Sequence, residues 1–465
     1  MTSAESLFHQ AGAHLTAREF DAAIALLRAA LAFEPDAAPL HANLGWALEH
    51  AGQALEAEAH YRRAIGLAPR LLQVRLNLGA FLTAQRRLPE AEQVYRDALA
   101  LAPESPAALS NYGMLLASSG REAEAETRYR QALALDPAYA KASFNLAYVL
   151  LRQGRWDEGW ARLEARDSSA ALQRHLNLPR WQGEPLAGKA VLVGIEAGHG
   201  DMIQFGRYCA QLKAAGAARV GVLCHPGLVA LFAGLRGADE AIGLDASLPA
   251  GFDAGFDYWV PALSLPFHFH TTVDTVPAAL PYIAVDPLRV TRLAPLLNGD
   301  DAAGLKVGLA WRGNPRFEND GERSLPSLAT LAPLARVPGV RWFSLQKGEG
   351  ENEARRGLGG VPVVDLAPAI DDFADTAALI EGLDLVISVD SAVAHLAGAL
   401  DKRCWVLLPA YLTDWRWLTE RSDTPWYPQA LRLFRQRPGA GWDALVAELV
   451  QALCAQVHGR AAREA

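Results

Sequence analysis

The residues best suited to chemistry in this chain gather where short apolar runs stop. Residues 383–400, LDLVISVDSAVAHLAGAL, hold a run at 385–389 that is apolar enough for a strand buried on both faces. The run ends at Asp390-Ser391, and residues 392–400 are then apolar at helical spacing, with Ser391 as N-cap. A strand that passes at once into a helix start leaves backbone N–H groups and the positive dipole end at the strand's carboxyl edge. That is a site for phosphate. Ser391, Ala392 and Val393 would supply amides there, Asp390 stands just before them, and His395 lies one turn in as a further donor. Taken alone, strand, cap and helix fit a core element better than a ligand site. Other loops shift that balance.

The first of these follows an apolar run at 191–195 and reads Glu196-Ala-Gly-His-Gly-Asp201-Met-Ile-Gln204. Gly198 and Gly200 give the start of a dinucleotide fingerprint, but Ile203 occupies its third glycine position. The second strand leads into Cys224-His225-Pro226, where a ribose-binding acid belongs, which argues against hydride chemistry. No P-loop sequence occurs either. What remains is a glycine turn that delivers Asp201 to the edge of a cleft, with His199 and Gln204 beside it. Asp201 could equally cap its own helix, and the two roles are compatible. Further along, GLAWRG (308–313) ends a strand in Arg312 and is followed by a polar loop to Arg323-Ser324. SLQKG (344–348) ends another in Gln346 and Lys347. Each cation alone is more often a solvated surface residue. On one edge with the Ser391 helix start, they compose a nucleotide-diphosphate pocket.

Elements that alternate β and α must position these loops. Apolar runs at 191–195, 220–223, 258–260 and 282–285 form one set, and runs at 307–311, 341–346, 361–366, 385–389 and 405–408 form a second. Helices fit between them, at 325–335, 372–382 and 442–454. The pattern predicts two doubly wound parallel sheets, whose ligands sit beyond the carboxyl ends of the strands. Residues 167–188, with Pro179, Gly183, Pro185 and Gly188, have the composition of a linker.

The first third is different. Pro35, Pro69, Pro103 and Pro137 fall at a strict 34-residue interval, and Ala23, Ala57, Ala91, Ala125 and Ala30, Ala64, Ala98, Ala132 keep the same register. So do Leu44-Gly45, Leu78-Gly79 and Tyr112-Gly113. The period and its small and aromatic positions resemble the tetratricopeptide repeat. Four repeats and a fifth without its closing proline extend to residue 166, where Trp156 and Trp160 are placed to cap the array. Such a solenoid presents a groove to a peptide or protein, or only props up the next domain.

Composition sets outer bounds. A chain of 465 residues exceeds one core. A net charge of −8 argues against nucleic acid or an anionic membrane as partner. No apolar run reaches the about 18 residues of a membrane span, and the N-terminus lacks the pattern of a secretory signal. Cys209, Cys224, Cys404 and Cys454 are scattered, as in a reducing compartment, and a cytoplasmic location is expected.

The runs EAGHGDMIQF, GLAWRGNP with its following Arg-Ser, SLQKG and VISVDSAVAHLAGAL resemble the two-sheet (GT-B) glycosyltransferases of the heptosyltransferase group, family 9. The added repeat array is similar to the O-GlcNAc transferase type. Bacterial repeat proteins with glycosyltransferase domains share PRWQGEPLAG, the GDxxQF loop and the tail DWRW, PWYP and LFRQ. The resemblance implies repeats over 1–166, a linker over 167–188, an acceptor-side Rossmann-like domain over 189–300 and a nucleotide-sugar domain over 304–458. It implies that Asp201 is the general base, with Gly198, His199, Gly200 and Gln204 on the acceptor-side loop. It places Asp390, Ser391, Ala392, Val393 and His395 on the donor, with Lys347, Gln346, Arg323 and Arg312. Ser391 and Ala392 depart from the threonine and glycine usual in that motif. The implied reaction is inverting and metal-independent transfer from a nucleotide-sugar, without a cofactor, to a protein hydroxyl recruited by the repeats. The competing reading is a scaffold whose transferase-like half is inactive. A two-sheet sugar-nucleotide epimerase has little use for a recruiting array.

Overall fold

The computed structural model describes residues 3–245, 251–298, 304–317 and 319–464. The chain divides into two compact units, one up to Val149 and one from Leu150 onward. In the first, helices α1 (Ala4–Thr16), α2 (Phe20–Phe33), α3 (Ala38–His50), α4 (Ala54–Leu67), α5 (Leu72–Ala84), α6 (Leu88–Leu101), α7 (Pro106–Ser118) and α8 (Glu122–Leu135) form antiparallel pairs, and α9 (Ala140–Arg152) comes after them. The periodic residues explain the pairing. A Cβ on Gly45, Gly79 or Gly113 would come within 2.8, 2.6 and 2.6 Å of the ring of Tyr61, Tyr95 or Tyr129. Each glycine therefore receives a buried tyrosine from the second helix of its own repeat. The eight periodic alanines are fully buried in the same seams. Outside, Arg87 joins Glu90 (2.7 Å) to Glu58 (2.5 Å), and Arg121 joins Glu124 (2.7 Å) to Glu92 (2.9 Å), a ladder of ion pairs in the same period.

The second unit begins before residue 166, because α10 (Trp156–Leu163) belongs to it. Trp156 and Trp160 are buried there against Trp426, at ring separations of 5.2 and 6.4 Å, and the Trp160 indole donates to Thr271 O (2.8 Å). Residues 167–188 do not run free. Trp181 N–H donates to Trp259 O (2.8 Å) and Trp259 N–H to Pro179 O (3.1 Å), so the segment lies along a strand of the first sheet.

Two all-parallel sheets complete the unit. The first comprises β1 (Ala190–Gly194), β2 (Arg219–Cys224), β3 (Glu240–Gly243) and β4 (Tyr258–Pro261), in the order β3-β2-β1-β4. The second comprises β5 (Leu305–Ala310), β6 (Val340–Ser344), β7 (Val363–Asp365), β8 (Leu385–Val389), β9 (Cys404–Leu408) and β10 (Leu431–Arg435), in the order β10-β9-β8-β5-β6-β7. The longer helices of this unit include α11 (His199–Gly206), α12 (Tyr208–Ala214), α13 (Pro287–Asn298), α14 (Phe373–Glu381), α15 (Ala392–Ala399) and α16 (Trp442–Glu464). Among the described residues no helix is long and apolar enough to cross a membrane.

Three expectations need correction. Residues 282–285 form no strand. Ile283 makes only an isolated bridge to Leu235, and Tyr282 N–H turns to Ala399 O (3.1 Å) in the other sheet's layer. The helix expected at 325–335 is a 3-10 turn, Leu328–Arg336, because Pro333 has no N–H to give an α-helical ladder. The edge strands β3 and β10 are absent from the expected runs, because β3 has only four residues, one of them Glu240, and β10 (LRLFR) breaks its apolar residues with Arg432 and Arg435.

Candidate functional site

In an open parallel sheet the chain reverses its winding at one place, and loops diverge there to leave a crevice. In the second sheet that place lies between β5 and β8. β8 is buried along its whole length and stops at Asp390-Ser391. Ser391 is extended (φ −152°), and its Oγ accepts from Val393 N–H (3.3 Å), the capping bond expected of it. Ser388 Oγ holds that hydroxyl from below (2.9 Å). Ala394 and His395 N–H turn back to Ser391 O, so three of the first-turn amides are already occupied.

The corresponding loop of the first sheet meets this helix start. α11 and α15 pack together, and a Cβ on Gly200 would lie 2.9 Å from His395 Cδ2 and 3.3 Å from Ala392 Cα. Glycine at 200 is what lets the loops touch. Asp201 Oδ2 accepts from Gly198 N–H (2.7 Å), so Asp201 caps its own helix. Ala197 holds the left-handed conformation (φ 60°), uncommon for a residue with a side chain, and its carbonyl meets His225 Nε2 at 3.0 Å. His199 stacks between His225 (4.2 Å) and Phe373 (5.1 Å), the latter from the second sheet's α14.

The other oxygen of Asp201 is engaged by a residue that motif reading did not single out. Arg416, 7% exposed, donates through Nη2 to Asp201 Oδ1, through Nε to Gln204 Oε1 (2.6 Å) and through Nη1 to both oxygens of Asp414 (3.0 and 3.1 Å). Its guanidinium lies over the Trp415 ring (4.4 Å). Trp417 stacks on His395 (5.2 Å, 20°) and its indole N–H serves the Asp390 carboxylate, while Gln204 Nε2 is buried without a partner. The DWRW run was the only sequence signal for this cluster, as a cation held between an acid and two large rings. Trp311, Trp415, Trp417 and Trp426 are all buried, so these rings are core, and Trp417 lies directly beneath the site.

Charge is tightly managed here. Burial, and then the neighbouring Asp414 charge, push the Asp390 carboxyl up to about 6, against opposition from Arg323 and Arg416. Burial and the charges of Arg416, Arg207 and Arg323 drive His395 well below the usual histidine range, leaving a neutral ring whose Nδ1 meets Tyr427 Oη (3.0 Å). Burial and His225 lower His199 to about 4.

The structure thus sets Gly200 against Ala392 and His395, and Arg416 joins Asp201 and Gln204 of the same loop while its charge reaches Asp390 and His395. Arg323 acts on Asp390 and His395 through its charge while bonded to Asp320 (3.2 Å). Three expected donor contacts point elsewhere. Arg312 pairs with Glu349 (2.6 Å) and donates to Pro326 O (2.5 Å). Gln346 ties two loops together, accepting from Trp311 and Arg312 N–H (3.0 Å each) and donating to Glu349 O (3.0 Å). Lys347 is exposed and donates to Ala367 O (2.8 Å).

Comparison with known proteins agrees with this division. Tetratricopeptide repeat models match residues 9–71, 70–138 and 116–175. The model for glycosyltransferase family 9 (heptosyltransferase) matches residues 334–407, which hold β8 and α15 but neither Asp201 nor Arg416. Protein FlbA of Caulobacter vibrioides is 26% identical over 326 residues, covering 64% of this chain. The chain spans about half (52%) of that relative's length. Among solved structures, Pseudomonas aeruginosa pilF is 23% identical, covering 35% of this chain and 75% of its own, with a TM-score of 0.32. A thermophilic TPR protein of Thermus thermophilus is 23% identical, covering 37% and 96%, with a TM-score of 0.33.

Proposed function

We propose that this chain, which joins tetratricopeptide repeats to a family 9 glycosyltransferase domain, transfers a sugar from a nucleotide-sugar to a hydroxyl of a polypeptide recruited by the repeats. One observation carries the reading. The glycine turn at the first sheet's carboxyl edge sits with Gly200 against Ala392 and His395, at the helix start of the second sheet's switch point, and the next residue, Asp201, brings a carboxylate to that junction. A GT-B transferase needs that pairing, an acceptor base on one sheet and a leaving-group site on the other.

In this mechanism Asp201 accepts the proton of the acceptor hydroxyl as its oxygen bonds to the anomeric carbon. The anomeric C–O bond to the nucleotide breaks on the opposite face, and its electron pair leaves with the phosphate. Configuration inverts in a single step. The departing charge is met by the positive dipole end of α15 and the guanidinium groups of Arg323 and Arg416, a role that needs no metal. His395, kept neutral, offers a hydrogen bond without adding charge. Val393 serves through the cap it shares with Ser391. The reading places the reaction in the cytoplasm, where nucleotide-sugars are made.

A second reading has its own observation. Both oxygens of Asp201 are engaged, one by Gly198 and one by Arg416, as in a scaffold whose base is locked. A thermal-shift panel of UDP, GDP, ADP, CMP and their sugars separates the two. A true ligand raises apparent stability by about 2.7 kcal/mol at a hundredfold excess over its Kd. The transferase reading expects one nucleotide to act selectively, and Asp201→Asn to abolish transfer while the nucleotide still binds. Silence up to millimolar ligand favours the scaffold.

A further inference from the structure

Arg416 makes the locked carboxylate part of the mechanism. We propose that Arg416 is a positioning residue shared between Asp201 and the anionic leaving group of the donor, so that donor binding draws the guanidinium away and frees Asp201 to accept a proton. The inference rests on the transferase reading above.

The geometry supplies each part. Asp201 Oδ2 accepts from the Gly198 N–H (2.7 Å), which ties it to the start of α11. Oδ1 is the oxygen that the Arg416 guanidinium holds. Arg416 keeps its other partners if it leaves. Its Nη1 remains on Asp414 (3.0 and 3.1 Å) and its Nε on Gln204 (2.6 Å), so the buried cation is never stranded. A phosphate at α15 needs this cation. Three first-turn amides are spent within the helix, while Arg312 and Lys347 are committed to Glu349 and Ala367. The guanidinium groups whose charge reaches Asp390 are Arg323 and Arg416. Phosphate oxygens match the planar donor face of a guanidinium as well as a carboxylate does, so the two anions compete for one partner.

The arrangement gives an order of events. An acceptor hydroxyl that arrives first finds the base occupied. Donor binding exposes the base in the same step that seats the leaving group. Gln204 and Asp414 then act as the hinge on which the guanidinium turns.

The test is the binding of nucleoside diphosphate, measured by calorimetry on the full chain, with the base found in the thermal-shift panel. Removing the competing carboxylate should help the ligand. Asp201→Asn is expected to bind roughly five- to tenfold more tightly than the wild type, the net size of one ordinary hydrogen bond. In an Arg416→Gln background the same change should give no gain. If Arg416→Gln does not fold, Arg416→Lys replaces it. Lysine keeps the charge but cannot hold Asp201 and Asp414 together, so the gain should fall below about twofold. Unchanged or weaker binding by Asp201→Asn, or a gain that persists without Arg416, overturns the proposal and leaves the transferase reading intact. A folded wild type that binds no nucleotide overturns both.

Discussion

The two parallel sheets each have a crevice where their winding reverses, and each places an acid just past a central strand. In the first sheet, between β1 and β4, that acid is Glu196. Arg166 grips its carboxylate at 2.6 and 2.9 Å, Leu263 N–H adds a bond at 3.2 Å, and Ser168 adds another. Burial pushes this carboxyl up, but Arg166 outweighs it and holds Glu196 below the usual range. In the second sheet, between β5 and β8, the acid is Asp390. Burial and Asp414 drive it up instead, and the charges of Arg323 and Arg416 with a hydrogen bond from Trp417 offset them only in part. One crevice is filled by the protein's own ion pair and the other is kept under electrostatic stress. At Glu196 the first crevice is closed by an internal ion pair, whereas Asp390 in the second carries the kind of perturbation that often marks working sites.

The largest effect should come from breaking the filled crevice. Arg166→Met leaves Glu196 buried without its cation and should cost about 3–5 kcal/mol in denaturant unfolding, whereas Arg166→Met with Glu196→Leu should recover most of it. Neither should alter nucleotide affinity of the folded protein. A loss of affinity would mean that the two crevices are coupled.

The stressed crevice should show itself in pH dependence. An acid raised from 3.8 to about 6 on folding binds its proton more tightly in the folded chain. Wild-type stability is therefore favoured below the unfolded value and is lost as pH rises through about 6. Asp390→Asn has no such term, so its stability relative to wild type should improve between pH 4 and 7, by on the order of 3 kcal/mol at most. A flat difference across that range would show that Asp390 is not under stress.

How far the sequence revealed this contrast depends on distance along the chain. The repeat array was legible because Gly79 and Tyr95, or Ala91 and Ala98, recur locally with a fixed period. The central strands were legible as apolar runs. Ser391 was legible because a cap is a contact between neighbours. Arg416 was not, because its partner Asp201 lies 215 residues away. The same holds for Glu196, whose role depends on Arg166 in a segment that reads as the end of a solenoid. Arg312 and Gln346 show the opposite failure. A strand end gives the correct edge, but it does not say which way a long side chain turns, and here both turn into their own loops.

Two smaller effects fix the boundary of the second crevice. Ser391→Ala removes the cap of α15 and should cost about 1 kcal/mol of stability, with a nucleotide affinity loss of about threefold as the helix start loosens. Lys347 should matter less. It comes after β6, one strand beyond the β5–β8 pair, and its ammonium rests on the Ala367 carbonyl while exposed to solvent. At physiological salt an exposed charge is screened over about 8 Å, so it contributes little to a phosphate held at α15. Lys347→Met should change nucleotide affinity by less than about twofold in calorimetry. A tenfold loss would show that the lysine leaves Ala367 for the ligand, and the leaving-group site would then span three loops rather than the two that meet at Gly200 and Ala392.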